Sequence, residues 1–204
     1  MILGVTTNLR ILICGNTKSG KSSLLRRLRG QAHSSDYVPS TEKVTAATVN
    51  WNYKATSEVI KVDAWELEKS VQEKGFKWSL TILSYFFPQE KIKKNLIKED
   101  FFRGSSAVII LYNANEPYEF ESALSQAKRV PVNLPVLMVS NFMDLGPITD
   151  GNEPESISQT FCGRVTPVYF CKSSMETGRG LSMIYKWMNV PYLYIREKEL
   201  GIGF

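Results

Sequence analysis

Apolar runs punctuate the chain as "LRILICG", "TAATVNW", "EVIKVDAW", "SAVIILYNA", "PVLMVSN" and "TPVYFC". Several are rich in Val and Ile, and each is bounded by turn residues, as strands are. Helical patterns fall between most of them, at 21–29, in parts of 73–98, at 119–128, around 155–161 and at 181–188. Strands that alternate with helices predict an α/β fold: a mostly parallel six-stranded sheet with helices on both faces. One pair breaks the alternation. "TAATVNWNYKATSEVIKVDAW" holds two strand patterns joined only by a polar turn, so a hairpin is expected and one strand should run antiparallel.

The stretch 66–104 is the least legible, mixing aromatics and lysines without a clear strand, and is read as a partly helical elaboration. Its Trp78, Tyr85, Phe86 and Phe87 are expected to pack onto the sheet, because aromatics dominate cores, while the lysines at 91, 93 and 94 face solvent. The last stretch, 189–204, is read as a C-terminal tail.

At 204 residues the chain suits one domain, 1–204, with one well-buried core. Hydrophobic residues make up 43% and charged residues 22%, far from a disordered composition. The net charge of +5 comes largely from short clusters that read as solvated faces, so nucleic-acid binding is not expected. Cys14, Cys162 and Cys171 lack metal-ligand spacing, and their odd number argues against a disulfide framework and for a reducing compartment. No apolar run approaches transmembrane length, and the N-terminus makes a poor signal peptide. The final "ELGIGF" has no cysteine, so no lipid anchor is expected in this chain.

The chemistry begins at "GNTKSGKS", where Gly15, Gly20, Lys21 and Ser22 satisfy the spacing of a phosphate-binding loop between a strand and a helix. Glycines let backbone N–H groups curl round phosphate oxygens, Lys21 reaches the terminal phosphates, and Ser22 offers a hydroxyl to magnesium. The helix start adds its positive dipole end. Asn16, Thr17, Lys18, Ser19, Gly20, Lys21, Ser22 and Ser23 form the candidate phosphate-binding set. Lys18 stands where most Ras-like proteins have glycine and brings a second cation to the loop.

Further along, "DYVPSTEKV" resembles the first switch of Ras- and Rab-type GTP-binding proteins, with Tyr37, Pro39 and Ser40 in register. That resemblance implies that the Ser40 hydroxyl closes on magnesium and the last phosphate. Thr41 competes for the role. "VSNFMDLG" resembles the Asn-Lys-x-Asp signature of guanine-binding GTPases through Asn141, Asp144 and the neighbouring Leu145. A carboxylate can accept both adjacent N–H donors of guanine, which adenine does not present. Phe142 replaces the family lysine and keeps an apolar lid for the base. "SSMETGRGL" is similar to the segment whose backbone N–H meets the guanine oxygen, and matches it best at Ser174, Met175 and Glu176. His33 falls where an aromatic ring usually stacks on the base, although an ordinary loop histidine is an equal reading.

The second switch departs from this pattern. Working GTPases of this class carry Asp-x-x-Gly-Gln after the third strand: the aspartate for magnesium, the glycine to sense the last phosphate, and the glutamine to orient water. Trp65 resembles the tryptophan that precedes this motif in Rab proteins, and aligning it puts Glu66, Lys69 and Ser70 at the three positions. Glutamate can still reach magnesium, but lysine crowds the close backbone approach and serine is too short to orient the water. Asp63 is a rival carboxylate, but it lies about 10 Å back along the strand.

Taken together, "YVPSTEKVTAATVNWNYKATSEVIKVDAWE", "VPVNLPVLMVSNFMDLG" and "SSMETGRGLSMIYKWMNVPYLYIREKEL" resemble the GTPase-like domain of the Rab-like protein six family, also called Parf. The resemblance implies a Ras-like P-loop NTPase fold that binds GTP or GDP with Mg2+, with 66–104 as an enlarged second switch. It also implies protein effectors at the switches, cytoplasmic or nuclear residence, and a longer C-terminal extension. The expected function is a monomeric signalling or scaffold module with weak or absent hydrolysis. Two alternatives stand beside it. One is an active GTPase whose water-positioning group comes from a partner or from 66–104, with Glu68 as an example; the other is an ATP-using P-loop enzyme, which Asn141 and Asp144 disfavour.

Overall fold

The computed structural model describes residues 5–32, 44–52, 59–67, 102–146 and 152–201. Its strands are β1 (Val5–Gly15), β2 (Val44–Asn52), β3 (Val59–Leu67), β4 (Ala107–Asn113), β5 (Val136–Asn141) and β6 (Val168–Lys172). Its helices are α1 (Lys21–Leu28), α2 (Glu119–Lys128), α3 (Glu153–Thr160), α4 (Leu181–Trp187) and α5 (Asn189–Glu199). The sheet order is β2-β3-β1-β4-β5-β6. β2 pairs antiparallel with β3 from Val44↔Leu67 to Asn52↔Val59, and every other pairing is parallel. The hairpin expected from the missing helix is therefore present, and the α/β Ras-like architecture holds.

Alternation along the central strands divides the core in two. Leu9, Ile11 and Ile13 of β1, Ile109 and Leu111 of β4, and Leu137 and Val139 of β5 face one side. They pack there with Leu24, Leu25 and Leu28 of α1, Ile184 and Trp187 of α4, and Tyr192 of α5. The intervening positions, Leu12, Cys14, Val108, Ile110, Val136 and Met138, face α2 and α3 through Ala123, Leu124, Ala127 and Ile157. Burial on both faces explains why these strands read as nearly unbroken apolar runs.

The expected elements shift at a few edges. β1 starts at Val5, before the apolar run, and the helix read around 155–161 starts at Glu153. The stretch 189–204, read as a tail, is helical over Asn189–Glu199, and α5 packs against β1. Pro191 lies in the first turn of that helix, where its missing N–H costs nothing. The expectations for 68–101 and for the first switch lie outside the described residues.

Parallel register brings the C-terminal ends of β1, β4, β5 and β6 to one edge of the sheet, with Gly15↔Leu111, Asn113↔Asn141 and Ser140↔Lys172 in line. In open α/β sheets, ligands bind at this edge.

Candidate functional site

β1 ends at Gly15 with φ +141°, and the chain turns through Asn16, Thr17, Lys18 and Ser19 into α1. A Cβ on Gly15 would collide with the Leu111 carbonyl oxygen of β4, so only glycine lets the loop leave the sheet here. Gly20 caps α1 at φ +96°, and a Cβ there would strike Asn141 Nδ2. α1 has no side-chain N-cap and no acidic residue in its first turn, so its dipole end is left to the loop. Lys18 has φ +62°, a left-handed conformation that a lysine adopts only under constraint from its surroundings.

Lys21 is buried, and its ammonium donates to the Asn16 carbonyl at 2.7 Å, across the mouth of the loop. Ser22 and Thr17 are exposed at the rim, whereas Ser19 is buried beside Gly15. The Cys14 thiol, one residue before the loop, is pushed up to about 12 by burial, with the Lys21 charge pulling the other way. It stays a neutral core thiol.

The second wall comes from β5. Asn141 is fully buried, and its Nδ2 donates to the Ser19 carbonyl at 3.1 Å. Its Oδ1 accepts from Ser173 Oγ at 3.2 Å and from the Met175 N–H at 3.3 Å. One amide thus joins the phosphate loop to the segment after β6. Phe142 follows at φ +65°, its carbonyl accepting from Asn115 Nδ2 at 3.1 Å. Asp144 and Leu145 are exposed on the short 3-10 turn Met143–Leu145.

The third wall is the loop after β6. The Met143 N–H donates to the Ser173 carbonyl at 3.1 Å, pinning the β5 turn to this loop. Ser174 is buried and serves its own loop, its Oγ accepting from the Thr177 N–H at 3.1 Å. Arg27 of α1 reaches across to the carbonyls of Met175 at 2.8 Å and Glu176 at 2.6 Å. Gly180 lets the chain pass close to Lys172, whose carbonyl oxygen would collide with a Cβ there.

The structure therefore brings together the loop from Asn16 to Ser23 with Asn141, Phe142, Asp144, Leu145, Ser174 and Met175. His33, Tyr37, Ser40 and Thr41 lie outside the described residues. The backbone of Glu66 pairs with Ile13 and Thr45 near the loop end of β1. The rival Asp63 pairs with Arg10, further from the loop, and its carboxylate is taken by Thr48 Oγ1 at 2.7 Å and Lys61 Nζ at 3.1 Å. Sequence reasoning missed Ser173, Arg27 and Asn115. Only Ser173 carried a signal, being a small hydroxyl residue directly after a strand end.

Sheet order, phosphate-loop geometry and the junction at Asn141 define a P-loop domain of Ras-like fold. Along its length the chain is similar to Rab-like protein 6: it is 26% identical over 206 residues to the Mus musculus protein and 24% identical over 204 residues to the Homo sapiens protein. Each match covers 97% of this chain and 28% of the relative, so the chain spans little more than a quarter of those proteins. The resemblance to the Rab-like protein six family seen in its motifs thus extends over nearly the whole chain. No family model matches it. Among solved structures it resembles Methanosarcina barkeri Roco2 RocCORdC bound to GDP, with TM-score 0.62 and 18% identity, over 91% of this chain and 49% of that one, a likeness of fold.

Proposed function

We propose that the chain is a guanine-nucleotide-binding, small GTPase-like module. In this reading it holds GTP or GDP with magnesium and presents its switches to protein effectors, with hydrolysis slow or absent. The observation that carries the reading is the junction at Asn141, where one buried amide fastens the phosphate loop to the segment at 173–175. Asp144 stands on the turn directly after it.

The residues present fit the nucleotide. Gly15 and Gly20, both at positive φ and pressed against β4 and Asn141, shape the loop, and the uncapped start of α1 supplies N–H donors for phosphate oxygens. Lys21 would move its ammonium from the Asn16 carbonyl to the terminal phosphates. Ser22 would offer its hydroxyl to magnesium, with Ser40 and Glu66 as the further candidate ligands. Magnesium, when bound, supplies positive charge between the phosphates. Asp144 would accept guanine's paired N–H donors while Phe142 covers the base. Weak hydrolysis follows from Lys69 and Ser70, which stand where a phosphate-sensing glycine and a water-orienting glutamine are needed. A single chain acting as a monomer in the cytoplasm or nucleus suits this role.

The test is equilibrium titration of the purified chain with GDP, GTP and ATP, each with and without magnesium. The proposal expects GDP and GTP to bind, more tightly with magnesium, and ATP to bind far more weakly. Equal affinity for ATP, or no nucleotide binding at all, overturns it.

A further inference from the structure

The back of the phosphate loop, opposite its open mouth, is turned to α2. Asn16, the residue after Gly15, turns its side chain away from the mouth and into α2. Its Nδ2 donates to Glu119 Oε1 at 2.5 Å and to Ser122 Oγ at 3.0 Å. Its Oδ1 lies 3.4 Å from both Ser122 Oγ and Gln126 Nε2. Gln126 in turn reaches Ser122 Oγ at 3.5 Å. Glu119, Ser122 and Gln126 follow helical spacing, so they form one polar stripe beside the apolar stripe of Ala123, Leu124 and Ala127 that enters the core.

The same residue governs the front of the loop. The Asn16 carbonyl accepts the Lys21 ammonium at 2.7 Å and the Ser19 N–H at 3.4 Å. Glu119, in the first turn of α2, is favoured there by the helix dipole, and its bond to Asn16 is charge-assisted. Fixing one peptide of a short loop before a ligand arrives removes ordering cost from binding.

We propose that Glu119, Ser122 and Gln126 are positioning residues for the phosphate loop. Helix α2 holds Asn16 so that the loop N–H groups are preset for the phosphates and Lys21 waits beside them on the Asn16 carbonyl. The proposal rests on the guanine-nucleotide reading and adds to it a slow-release device seated on α2.

The test is the release rate of a fluorescent GDP analogue, chased with excess GDP in the presence of magnesium. It compares the unaltered chain with Glu119→Ala, Glu119→Gln, Asn16→Ala and the double variant, alongside thermal unfolding of each nucleotide-free protein. Glu119→Ala and Asn16→Ala should each speed release about tenfold, the scale of one charge-assisted hydrogen bond. The double variant should release no faster than the worse single one, because both remove the same link. Glu119→Gln, which keeps the shape and an acceptor, should restore most of the slow release.

Val130→Ala serves as a control, since it opens the α2-side core without touching Asn16, and should lower the unfolding midpoint while leaving release unchanged. Additive effects in the double variant, unchanged release in Glu119→Ala, or faster release that merely follows lost stability as in Val130→Ala would overturn the proposal. If the unaltered chain fails to hold the analogue, the guanine-nucleotide reading fails and takes this proposal with it. If it holds the analogue and the variants release it no faster than the unaltered chain, the clamp alone is wrong.

Discussion

Asp144 is exposed on the turn after β5, so its chemistry is separable from the fold. A carboxylate accepts two hydrogen bonds side by side, whereas an amide offers one donor and one acceptor. Asp144→Asn should therefore weaken guanine nucleotides by at least about tenfold, the scale of a bond to a charged group, and favour xanthine nucleotides, whose ring carries a carbonyl where guanine has its amino group. Competition binding with the two bases checks this. The cysteines report on the core instead. Cys14 and Cys171 are buried while Cys162 is exposed, so iodoacetamide should modify Cys162 quickly and the other two only on unfolding. Burial raises the Cys14 and Cys171 thiols from 9.0 to about 12. Their contribution to stability is complete below pH 9 and declines as pH climbs towards 12, because the unfolded thiols ionise first. Melting curves at pH 8 and pH 10.5 should show the loss, and Cys14→Ala should reduce it. At this scale the place of Asn141 and Asp144 at the sheet edge was legible because an Asn-x-x-Asp turn directly after an apolar strand stands out in the sequence. Ser173 and the Asn16 cluster were not, because a lone hydroxyl or a polar stripe on a helix has many ordinary explanations.

α5 shows how an element can hide in a sequence. Pro191 and the closely preceding α4 disguise its start, and Met188 ends one helix as it caps the next. Yet Tyr192 is almost fully buried in the face shared by β1, α1 and α4, with Val190 and Ile195 packed against it. Tyr192→Ala should cost about 3 kcal/mol through lost burial and a residual cavity, read as a lower urea midpoint with an unchanged slope. A loss under about 0.5 kcal/mol, the range of ordinary surface substitutions, would show that α5 does not seal the core. The strands were easier to read. β4 and β5 are buried at nearly every position, so their apolar runs were unbroken, and the absence of any helical pattern between β2 and β3 gave away the antiparallel hairpin.

For the whole molecule, the crossover order β2-β3-β1-β4-β5-β6 gathers the loops after β1, β5 and β6 at one sheet edge. Asn141 then ties those three loops into a single site. Local pattern foretold the strands, but their convergence depends on topology, which the alternation of strand and helix predicted in outline. In the proposed reading, the division between holding and cutting rests on Lys69 and Ser70, which the sequence aligns with the groups that sense the last phosphate and orient water. The most direct measurement offers the purified chain an equal mixture of GTP and ATP with magnesium, removes free nucleotide, and resolves the bound nucleotide by chromatography over time. Bound GTP should remain largely uncut over hours, with little ATP. Bound ATP in comparable amount, or GTP converted to GDP within minutes, would contradict it.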